Sequence, residues 1–268
     1  MKLERIRYEA CPLCGNAAFA AISVDDCSRH PLYVAPLDPR ITWMTCGQCS
    51  HVFTVGYWSA DAQALILKKT LPHQAVGHCL EEQRPVAGRL IDRVLAACGP
   101  NGSAAPLTWL DVGFGDASLL LTAKEYGMHA VGVDIRDDNV VAARELGLEA
   151  YAADISEFKS LSAGLYDIVS LADVLEHVPF PEKVLGLVQS LIVTGGLLYI
   201  ATPNRDSPLW KLLDRANANP YWNEIEHYHC FSREGLYSLL RATGFEPVRY
   251  GISERYRCGM EVLAKAMG

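Results

Sequence analysis

Hydrophobic residues in the second half of the chain alternate between short strand-like runs and helical patterns. Residues 107–110 form an apolar run, and residues 118–126 repeat leucine and alanine at helical spacing. Further apolar runs of strand length lie at residues 128–134, 148–152, 166–171 and 197–202. Helix signals lie between some of these runs, in the repeat at residues 118–126 and in the proline that opens residues 181–191. Strands that alternate with helices predict an α/β domain with a mostly parallel sheet.

The pattern changes near the end of the chain. Residues 210–228 are rich in aromatic and polar groups and show neither strand nor clear helix periodicity, which predicts a lid. Ser232 is a typical N-cap for a helix that Gly244 would end. Residues 245–252 and 260–264 then predict a closing β-hairpin.

The first hundred residues follow different patterns. Residues 22–24 and 41–44 predict strands among proline-marked loops, whereas residues 58–99 place apolar side chains at three- and four-residue spacing. We therefore expect three parts. They are a small β module at 1–56, a helical linker and cofactor cover at 57–103, and the α/β domain at 104–268 with its lid at about 204–230.

A glycine turn follows the first strand of the α/β domain. Gly113 and Gly115 carry no Cβ, so the backbone can turn sharply there, and the next helix offers free N–H groups to a flat or anionic ligand. The second strand ends in Asp134, 23 residues after Asp111, where a carboxylate could accept both hydroxyls of a ribose. A dinucleotide-binding enzyme would show the same layout.

The next two predicted strands, at residues 148–152 and 166–171, are each followed by an acidic residue, Asp154 and Asp173 respectively. With these residues in place, the chain resembles the class I S-adenosylmethionine (SAM) dependent methyltransferases over roughly residues 107–245, especially the subgroup of ubiquinone-pathway O-methyltransferases. Residues 111–115 are similar to the first motif of that family, and residues 173–178 to its fourth-strand motif. Ala117 is a departure, because the family usually carries a third glycine there.

The resemblance implies a Rossmann-like, doubly wound, mostly parallel seven-stranded sheet, to which this chain adds the small N-terminal module. It also implies SAM as cofactor, S-adenosylhomocysteine (SAH) as product, a ribose acid at Asp134 and an adenine-edge pair at Asp154 and Ile155. The expected cofactor-binding residues are Asp111, Gly113, Phe114, Gly115, Asp134, Ile135, Asp154, Ile155, Ala172 and Asp173.

Two C-x₂-C pairs in the first fifty residues predict a structural zinc site. Cys11 and Cys14 form one pair, Cys46 and Cys49 the other, and two such turns together make a tetrahedral four-sulfur site. A disulfide framework is disfavoured in a cytosolic chain, and a redox motif is disfavoured because there are two pairs and neither opens an obvious helix. Iron is the alternative metal. His51 could replace one cysteine, although the four-sulfur set is simpler.

Charge and hydrophobicity indicate which partners and which cellular location to expect. The chain has 268 residues and a net charge of −7, with no cluster of basic residues beyond Lys68 and Lys69. Nucleic acid is therefore an unlikely substrate. No apolar run is long enough to span a bilayer, and the charged N-terminus lacks a signal-peptide core, so we expect a cytoplasmic protein without a membrane partner. Nothing in the sequence indicates the oligomeric state.

Histidines are the candidate catalytic groups. His177 follows the fourth strand, and imidazole is the side chain that titrates closest to neutral pH, so His177 is a candidate base. Alternatively, Glu176 or His177 only braces the loop. His227 and His229 alternate as in an extended segment, so both would face one side, and they are candidates for substrate contact. A metal site formed by Glu226, His227 and His229 is a weaker alternative, because the neighbouring sequence supplies no clear fourth ligand.

The sequence favours methyl transfer to a small molecule. A hydroxyl of a quinone-like, polyketide or sugar intermediate is the first choice, and carbon or nitrogen acceptors are open. Trp210, Tyr221 and Trp222 could stack on a planar acceptor or only seal the pocket. The alternatives are an RNA methyltransferase whose zinc module docks on structured RNA, and a SAM-binding partner subunit without catalysis.

Overall fold

The N-terminal part of the chain is built from short strands. The computed structural model describes residues 2–99, 105–162, 164–255 and 258–268. The strands are β1 (Arg5–Arg7), β2 (Phe19–Asp26), β3 (Arg40–Cys46), β4 (Val52–Thr54) and β5 (Gly56–Trp58). β1 pairs with β5, and β2, β3 and β4 pair in sequence, all antiparallel. The strands expected at 22–24 and 41–44 are confirmed.

Two helices connect these strands to the larger sheet. α1 (Ala60–Leu67) begins at Ser59, whose side chain accepts from the backbone N–H of Ala62. α2 (Leu80–Cys98) buries Leu90, Ile91 and Val94, as its helical spacing predicts. The boundary expected after residue 103 lies outside the described residues. No helix in the described ranges, α2 included, is long and apolar enough to cross a membrane.

A mostly parallel sheet forms the rest of the chain. Its strands are β6 (Thr108–Val112), β7 (His129–Asp134), β8 (Glu149–Ala152), β9 (Tyr166–Ala172) and β10 (Ile192–Pro203), and, after the short β11 (His229–Cys230), β12 (Phe245–Ile252) and β13 (Gly259–Ala266). The order is β12-β13-β10-β9-β6-β7-β8, in which β13 runs antiparallel to both of its neighbours, β12 and β10, and all other pairs are parallel. The seven-stranded, doubly wound sheet is confirmed.

Helices cover both faces of this sheet. They are α3 (Ser118–Glu125), α4 (Asp137–Glu145), α5 (Ile155–Leu161), α6 (Pro181–Gln189) and α8 (Arg233–Ala242), with α7 (Pro208–Arg215) outside these two layers. One apolar core joins α5, α6 and α8 to the sheet, and a second joins α2, α3 and α4 to the opposite face. Ser232 caps α8 by accepting from Gly235 N at 3.0 Å, as expected.

The strand order creates a crevice. β6 lies between β7 and β9, so the chain leaves it first toward β7 and β8 and later returns on the other side as β9 and β10. At such a reversal the loops that follow neighbouring strands diverge, which opens a cleft at the carboxyl ends of the strands. The acids Asp111, Asp134 and Asp173 all lie at that edge.

The expected lid is more ordered than its sequence suggests. Residues 204–230 contain α7, a 3₁₀ turn (Pro220–Asn223) and β11. β11 pairs antiparallel with β4, with His229 opposite Phe53 and Cys230 opposite Val52, so it becomes the fourth strand of the N-terminal sheet. The lack of a strand or helix period in the sequence therefore did not mean a lack of regular structure, and the order of β11 comes from a partner strand far away in sequence.

Two glycines give a matched test of packing between β7 and α3. A Cβ on Gly132 would lie 2.6 Å from Leu120 Cδ2 and 2.7 Å from Phe114 Cδ1, both buried. We expect Gly132→Ala to lower the free energy of unfolding by about 1–3 kcal/mol, the usual cost of overpacking. Gly186 is exposed within α6, and a Cβ added there would have no other described atom within 4 Å. Gly186→Ala should raise the free energy of unfolding by about 0.5–1 kcal/mol. Urea denaturation measures the free energy of unfolding of both variants. Equal changes in Gly132→Ala and Gly186→Ala would contradict the close packing at Gly132.

Candidate active site

The glycine turn after β6 passes closely under the loop that follows β9. Gly113 and Gly115 have φ angles of +70° and +49°, in the left-handed region that favours glycine. A Cβ on Gly113 would lie 2.7 Å from Val174 Cγ2. Gly113 N donates to Val133 O at 2.7 Å, which joins the turn to the end of β7. The turn therefore leaves room for a ligand but none for a side chain at Gly113.

Ala117 stands where the resembling family usually has glycine. It is fully buried and adopts φ +61° at the start of α3. That conformation costs an L-residue about 1 kcal/mol. Alanine keeps the backbone path, and Asn139 Nδ2 supports the loop by donating to Gly115 O at 3.2 Å and to Gln74 O at 3.0 Å.

Asp134 is held in place by the turn that it faces. Its Oδ2 accepts from Gly115 N at 3.0 Å and its Oδ1 from Arg136 N at 2.8 Å, while the side chain is almost wholly buried. Each carboxylate oxygen can accept further hydrogen bonds. The carboxylate is thus oriented by main-chain donors and still lines the cleft.

Asp111 lies at the bottom of the same cleft. Ser170 Oγ donates to its Oδ1 at 2.5 Å, and Trp109 Nε1 donates to Ser170 Oγ at 2.8 Å. Burial raises the pKa of Asp111 to about 7, although the Ser170 hydrogen bond lowers it. A positively charged ligand would stabilise the ionised form.

The sequence-predicted cofactor residues come together around one cleft of about 1240 Å³. All ten line it, namely Asp111, Gly113, Phe114, Gly115, Asp134, Ile135, Asp154, Ile155, Ala172 and Asp173. Asp154 also caps α5, because its Oδ1 accepts from Ser156 N at 2.7 Å and Glu157 N at 2.9 Å.

His177 and His227 meet at the same cleft. His177 ends a 3₁₀ turn (Leu175–His177), and its ring centroid is 4.6 Å from that of His227. Burial, together with the charge of His177, lowers the pKa of His227 to about 3, so His227 is neutral at pH 7. Glu176 is 1% exposed beside them, and burial and the charge of Asp173 raise its pKa well above the ordinary value. These three side chains bring acid–base groups to the cleft.

His229 is placed differently from the prediction. It does not share a side with His227 and is not among the residues that line the cleft. Its Nδ1 lies 3.1 Å from His51 Nε2, and its Nε2 lies 2.9 Å from Val178 O. Only His229 and Cys230 are extended, so the alternation expected of a longer strand does not hold. His229 is therefore a buried contact between the two sheets, and Glu226, His227 and His229 do not converge.

The aromatic residues of the lid divide between cleft and core. Tyr221 lines the cleft and stacks on Trp210 at a centroid distance of 4.9 Å. Trp210 is buried, and Trp222 packs against Trp43 and donates its Nε1 to Asp214. Among these three only Tyr221 is placed to contact an acceptor.

The cysteine pairs converge as a metal site requires. The Sγ atoms of Cys11, Cys14, Cys46 and Cys49 all lie within 4.8 Å of one another. The Cys11–Cys49 and Cys14–Cys46 sulfur distances are 3.6 and 3.5 Å. Four thiolates about 2.3 Å from zinc in a tetrahedron would be about 3.8 Å apart. All nine cysteines are free, and His51 is occupied by His229, so the donor set fits one zinc ion.

The N-terminal part of the chain supplies one wall of the cleft. Trp58 and much of α1, from the segment expected to cover the cofactor, line it. Sequence reasoning missed His30 and Pro31 of the β module, which also line it. His30 Nε2 lies 2.6 Å from Glu224 Oε1 and so connects the module to the lid. No local pattern marks His30 and Pro31, because they reach the cleft only through long-range packing.

Comparisons with known proteins agree with this geometry. The model of a family described as "Methyltransferase domain" matches residues 80–250. The chain belongs to this family. The matched range begins at α2, so the N-terminal strands precede it.

Curated relatives and solved structures extend the comparison. Ubiquinone biosynthesis O-methyltransferases of Bordetella avium and Aromatoleum aromaticum are 34% and 31% identical over 103 and 133 residues, or 36% and 47% of this chain. These matches span only 43% and 54% of the length of the relatives.

Solved structures share the fold. Magnesium protoporphyrin IX methyltransferase from Synechocystis PCC 6803, solved with bound SAH, superposes with a TM-score of 0.55 at 18% identity, covering 68% of this chain and 83% of that one. A SAM-dependent methyltransferase from Archaeoglobus fulgidus gives 0.54 at 20% identity, covering 68% and 94%. The structural likeness shows the shared fold of the methyltransferase domain.

Asp111 makes the stability of this domain depend on pH. Because its pKa is raised from 3.8 to about 7, the folded state keeps a proton that the unfolded state loses, so stability falls as pH rises from 4 to 7. The side chain of Asp111→Asn cannot ionise, so its free energy of unfolding should increase relative to that of the wild type as pH rises from 4 to 7, by at most about 1.4 kcal/mol per pH unit. Above pH 7 the difference between the two proteins should stay constant. Urea denaturation at several pH values measures this. Asp138→Asn, which removes an exposed carboxylate, is the control. A difference in free energy of unfolding between Asp111→Asn and the wild type that does not change with pH would contradict the raised pKa of Asp111.

Proposed function

We propose that the protein transfers a methyl group from SAM to a hydroxyl of a small molecule. The observation that carries this proposal is one continuous cleft that contains both the turn at Gly113 and Gly115 and the side chains of His177 and His227. The first is suited to a nucleoside and the second to proton transfer. SAM would supply an electrophilic methyl group together with its own leaving group.

The cofactor half of the cleft suits SAM by its donor and acceptor chemistry. As the family resemblance implies, Asp134 would accept hydrogen bonds from the ribose hydroxyls, and Asp154 and Ile155 would lie at the edge of the adenine. The apolar Ile135 lines the cleft beside Asp134. The methionine part of SAM carries an ammonium group and a sulfonium, and the deep carboxyl of Asp111 would complement positive charge there. The family match and the SAH-bound structural neighbour support this placement.

The cleft has apolar surface for an acceptor. Pro31, Trp58, Ile66 and Leu67 from the N-terminal side line it, as do Pro179 and Phe180. Such apolar surface suits a ring-containing acceptor with a reactive hydroxyl. The name of the curated relatives, ubiquinone biosynthesis O-methyltransferase, supports a quinone-like ring as the class.

A methyl-transfer screen tests the proposed function. Purified protein would be given SAM with a labelled methyl group together with hydroxylated aromatic metabolites or with total RNA. We expect label in the aromatic fraction and release of SAH. Label in RNA would contradict the small-molecule proposal, and tight SAH binding without transfer to any acceptor would favour a non-catalytic partner subunit.

Asp134 tests the cofactor assignment. Asp134→Ala removes the charged acceptor of the ribose hydroxyls and also the anchor of Gly115 N, so SAH affinity should fall by about 2–3 kcal/mol. Titration calorimetry measures the change. Glu182→Ala, which removes an exposed carboxylate on α6, should bind SAH like the wild type. Unchanged affinity in folded Asp134→Ala would refute the assignment.

The four cysteines should hold one structural zinc ion per chain. Cys11→Ser and Cys46→Ser should each lose that ion, because a three-thiolate site binds zinc more weakly and a small sheet depends on its metal. Elemental analysis measures the loss, and SAH titration checks that the methyltransferase domain remains folded. A disulfide between the pairs, or a folded module without metal, would contradict the expectation.

His177 tests where the acceptor loses its proton. His177→Ala should lower turnover by roughly 10²- to 10⁴-fold with SAH affinity nearly intact. His177→Gln can replace one imidazole hydrogen bond but cannot take a proton. If His177 only braces the loop, the glutamine variant should keep most of the activity. Near-wild-type turnover in both variants would remove His177 from the chemistry.

A further inference from the structure

Two carboxylates of the lid line the cleft, and only one of them has a cationic partner. Glu226 Oε1 lies 3.2 Å from Arg136 Nη2, and both of these side chains are mostly buried. Glu224 lies two residues earlier and lines the same cleft with a side chain that is 28% exposed. Within the described part of the chain, no lysine or arginine forms an ion pair with Glu224. The protein therefore balances the charge of Glu226 but not that of Glu224.

The partner of Glu224 is a histidine that carries no charge. His30 Nε2 lies 2.6 Å from Glu224 Oε1. Leu32 N donates to His30 Nδ1 at 3.2 Å, so Nδ1 presents a lone pair and the single ring proton is on Nε2. His30 in this tautomer orients the carboxylate but adds no positive charge beside it.

Glu224 is ionised at neutral pH. Burial acts to raise its pKa, but the contact with His30 and the neighbouring imidazoles outweighs burial and brings the pKa to about 2. A carboxylate that is largely removed from water and faces no full positive charge is unfavourable. Oε1 faces His30, and Oε2 has no hydrogen bond to any residue that the structure describes. A cationic group of a ligand at Oε2 would supply the missing charge.

His227 lies beside Glu224 and has a polar atom without a partner. His227 N donates to Glu224 O at 3.3 Å, so one turn of the lid holds both residues. His227 Nδ1 makes no hydrogen bond among the described residues, although His227 is only 7% exposed. Burial and the charge of His177 lower the pKa of His227 to about 3, so the ring is neutral. Buried polar atoms without a partner are rare in folded proteins, which points to a ligand or a water at this place.

An aromatic ring completes the surroundings of Glu224. The ring centroid of Tyr221 lies 6.1 Å from that of His227, at an angle of 20° between the rings, and both side chains line the cleft. Pro31, next to His30, adds apolar surface. Organic ammonium groups bind against carboxylates and over the faces of aromatic rings. This end of the cleft therefore has the groups that recognise an ammonium.

The positive charge of SAM is a poor match for Glu224. The sulfonium loses its charge as the methyl group leaves, so a carboxylate beside it would stabilise the reactants more than the transition state. A charged group on the acceptor, away from the reacting hydroxyl, keeps its charge throughout the transfer. Binding such a group positions the acceptor without opposing the reaction.

We propose that Glu224 binds a protonated amine carried by the methyl acceptor. This inference rests on the proposed function and narrows it, because it describes the acceptor as a hydroxylated ring with a basic side chain. The amine donates to the Glu224 carboxylate, and His30 holds that carboxylate in place. Glu226 does not serve in the same way because Arg136 is already paired with it.

Three catechols that share one ring test the proposal. Dopamine carries an ammonium group, ethylcatechol has no charged group, and dihydrocaffeate carries a carboxylate. Each would be titrated by calorimetry into the SAH complex of the wild type and of Glu224→Gln. We expect the wild type to bind dopamine at least about tenfold more tightly than ethylcatechol, as one charge-assisted hydrogen bond allows, and dihydrocaffeate most weakly. Glu224→Gln should bind dopamine and ethylcatechol about equally.

Controls separate the acceptor from the cofactor. Glu182→Gln removes an exposed carboxylate of α6 and should keep the wild-type order of affinities. Glu224→Gln should bind SAM and SAH as the wild type does, which also shows that it is folded. A loss of affinity for SAM alone would place the charge beside the sulfonium and overturn the proposal.

The remaining outcomes distinguish this site from the proposed function. Equal affinity of the wild type for dopamine and ethylcatechol, or no binding of dopamine, would overturn the ammonium site. Weaker binding of all three catechols by the same factor in Glu224→Gln would overturn it as well. Transfer of labelled methyl from SAM to ethylcatechol in those cases would leave the proposed function standing. If dopamine is preferred but no catechol is methylated, the proposed hydroxyl methylation fails while the Glu224 site stands.

Discussion

The position of residues 222–230 depends on hydrogen bonds from the N-terminal module. Trp43 Nε1 donates to Trp222 O at 2.9 Å, Trp58 Nε1 to Ile225 O at 3.0 Å, and Thr54 N to Tyr228 O at 2.9 Å. β11 then completes the sheet beside β4. Buried carbonyl groups need such partners, so the module helps to fix the path of this segment, together with the bond from Tyr228 N to Glu176 O.

This dependence explains why the chain carries a metal-binding module beside a methyltransferase domain. The module and the segment that follows it share an apolar core with the lid, in which Trp43 of the module and Trp58 and Ile66 beyond it pack with Trp210, Ile225 and Tyr228. The sheet of the methyltransferase domain supplies the cofactor half of the cleft, while the module positions the lid and the acceptor wall. A zinc ion on the four cysteines would therefore act on the acceptor site through the lid rather than by contact.

Sequence patterns predicted the cofactor half better than the acceptor half. The glycine turn follows a strand, Asp111 and Asp134 lie at the ends of strands, and Asp154 starts a helix, so their places are set by local structure. The convergence of Glu176 with His227, the pairing of β11 and the burial of His229 against His51 all depend on contacts between distant residues. Two-residue β11 is too short to show a period, and its order comes from the strand that it joins.

Hydrogen exchange measured by mass spectrometry tests most directly whether the module positions the lid. The wild type and Cys11→Ser would be compared over peptides that cover residues 222–230 and, as a reference, strands β6 and β7. If the account is right, loss of the module's metal lowers protection at 222–230, including the amide of Tyr228 that bonds to Glu176, while β6 and β7 keep theirs. Unchanged protection at 222–230 in a metal-free protein would contradict it.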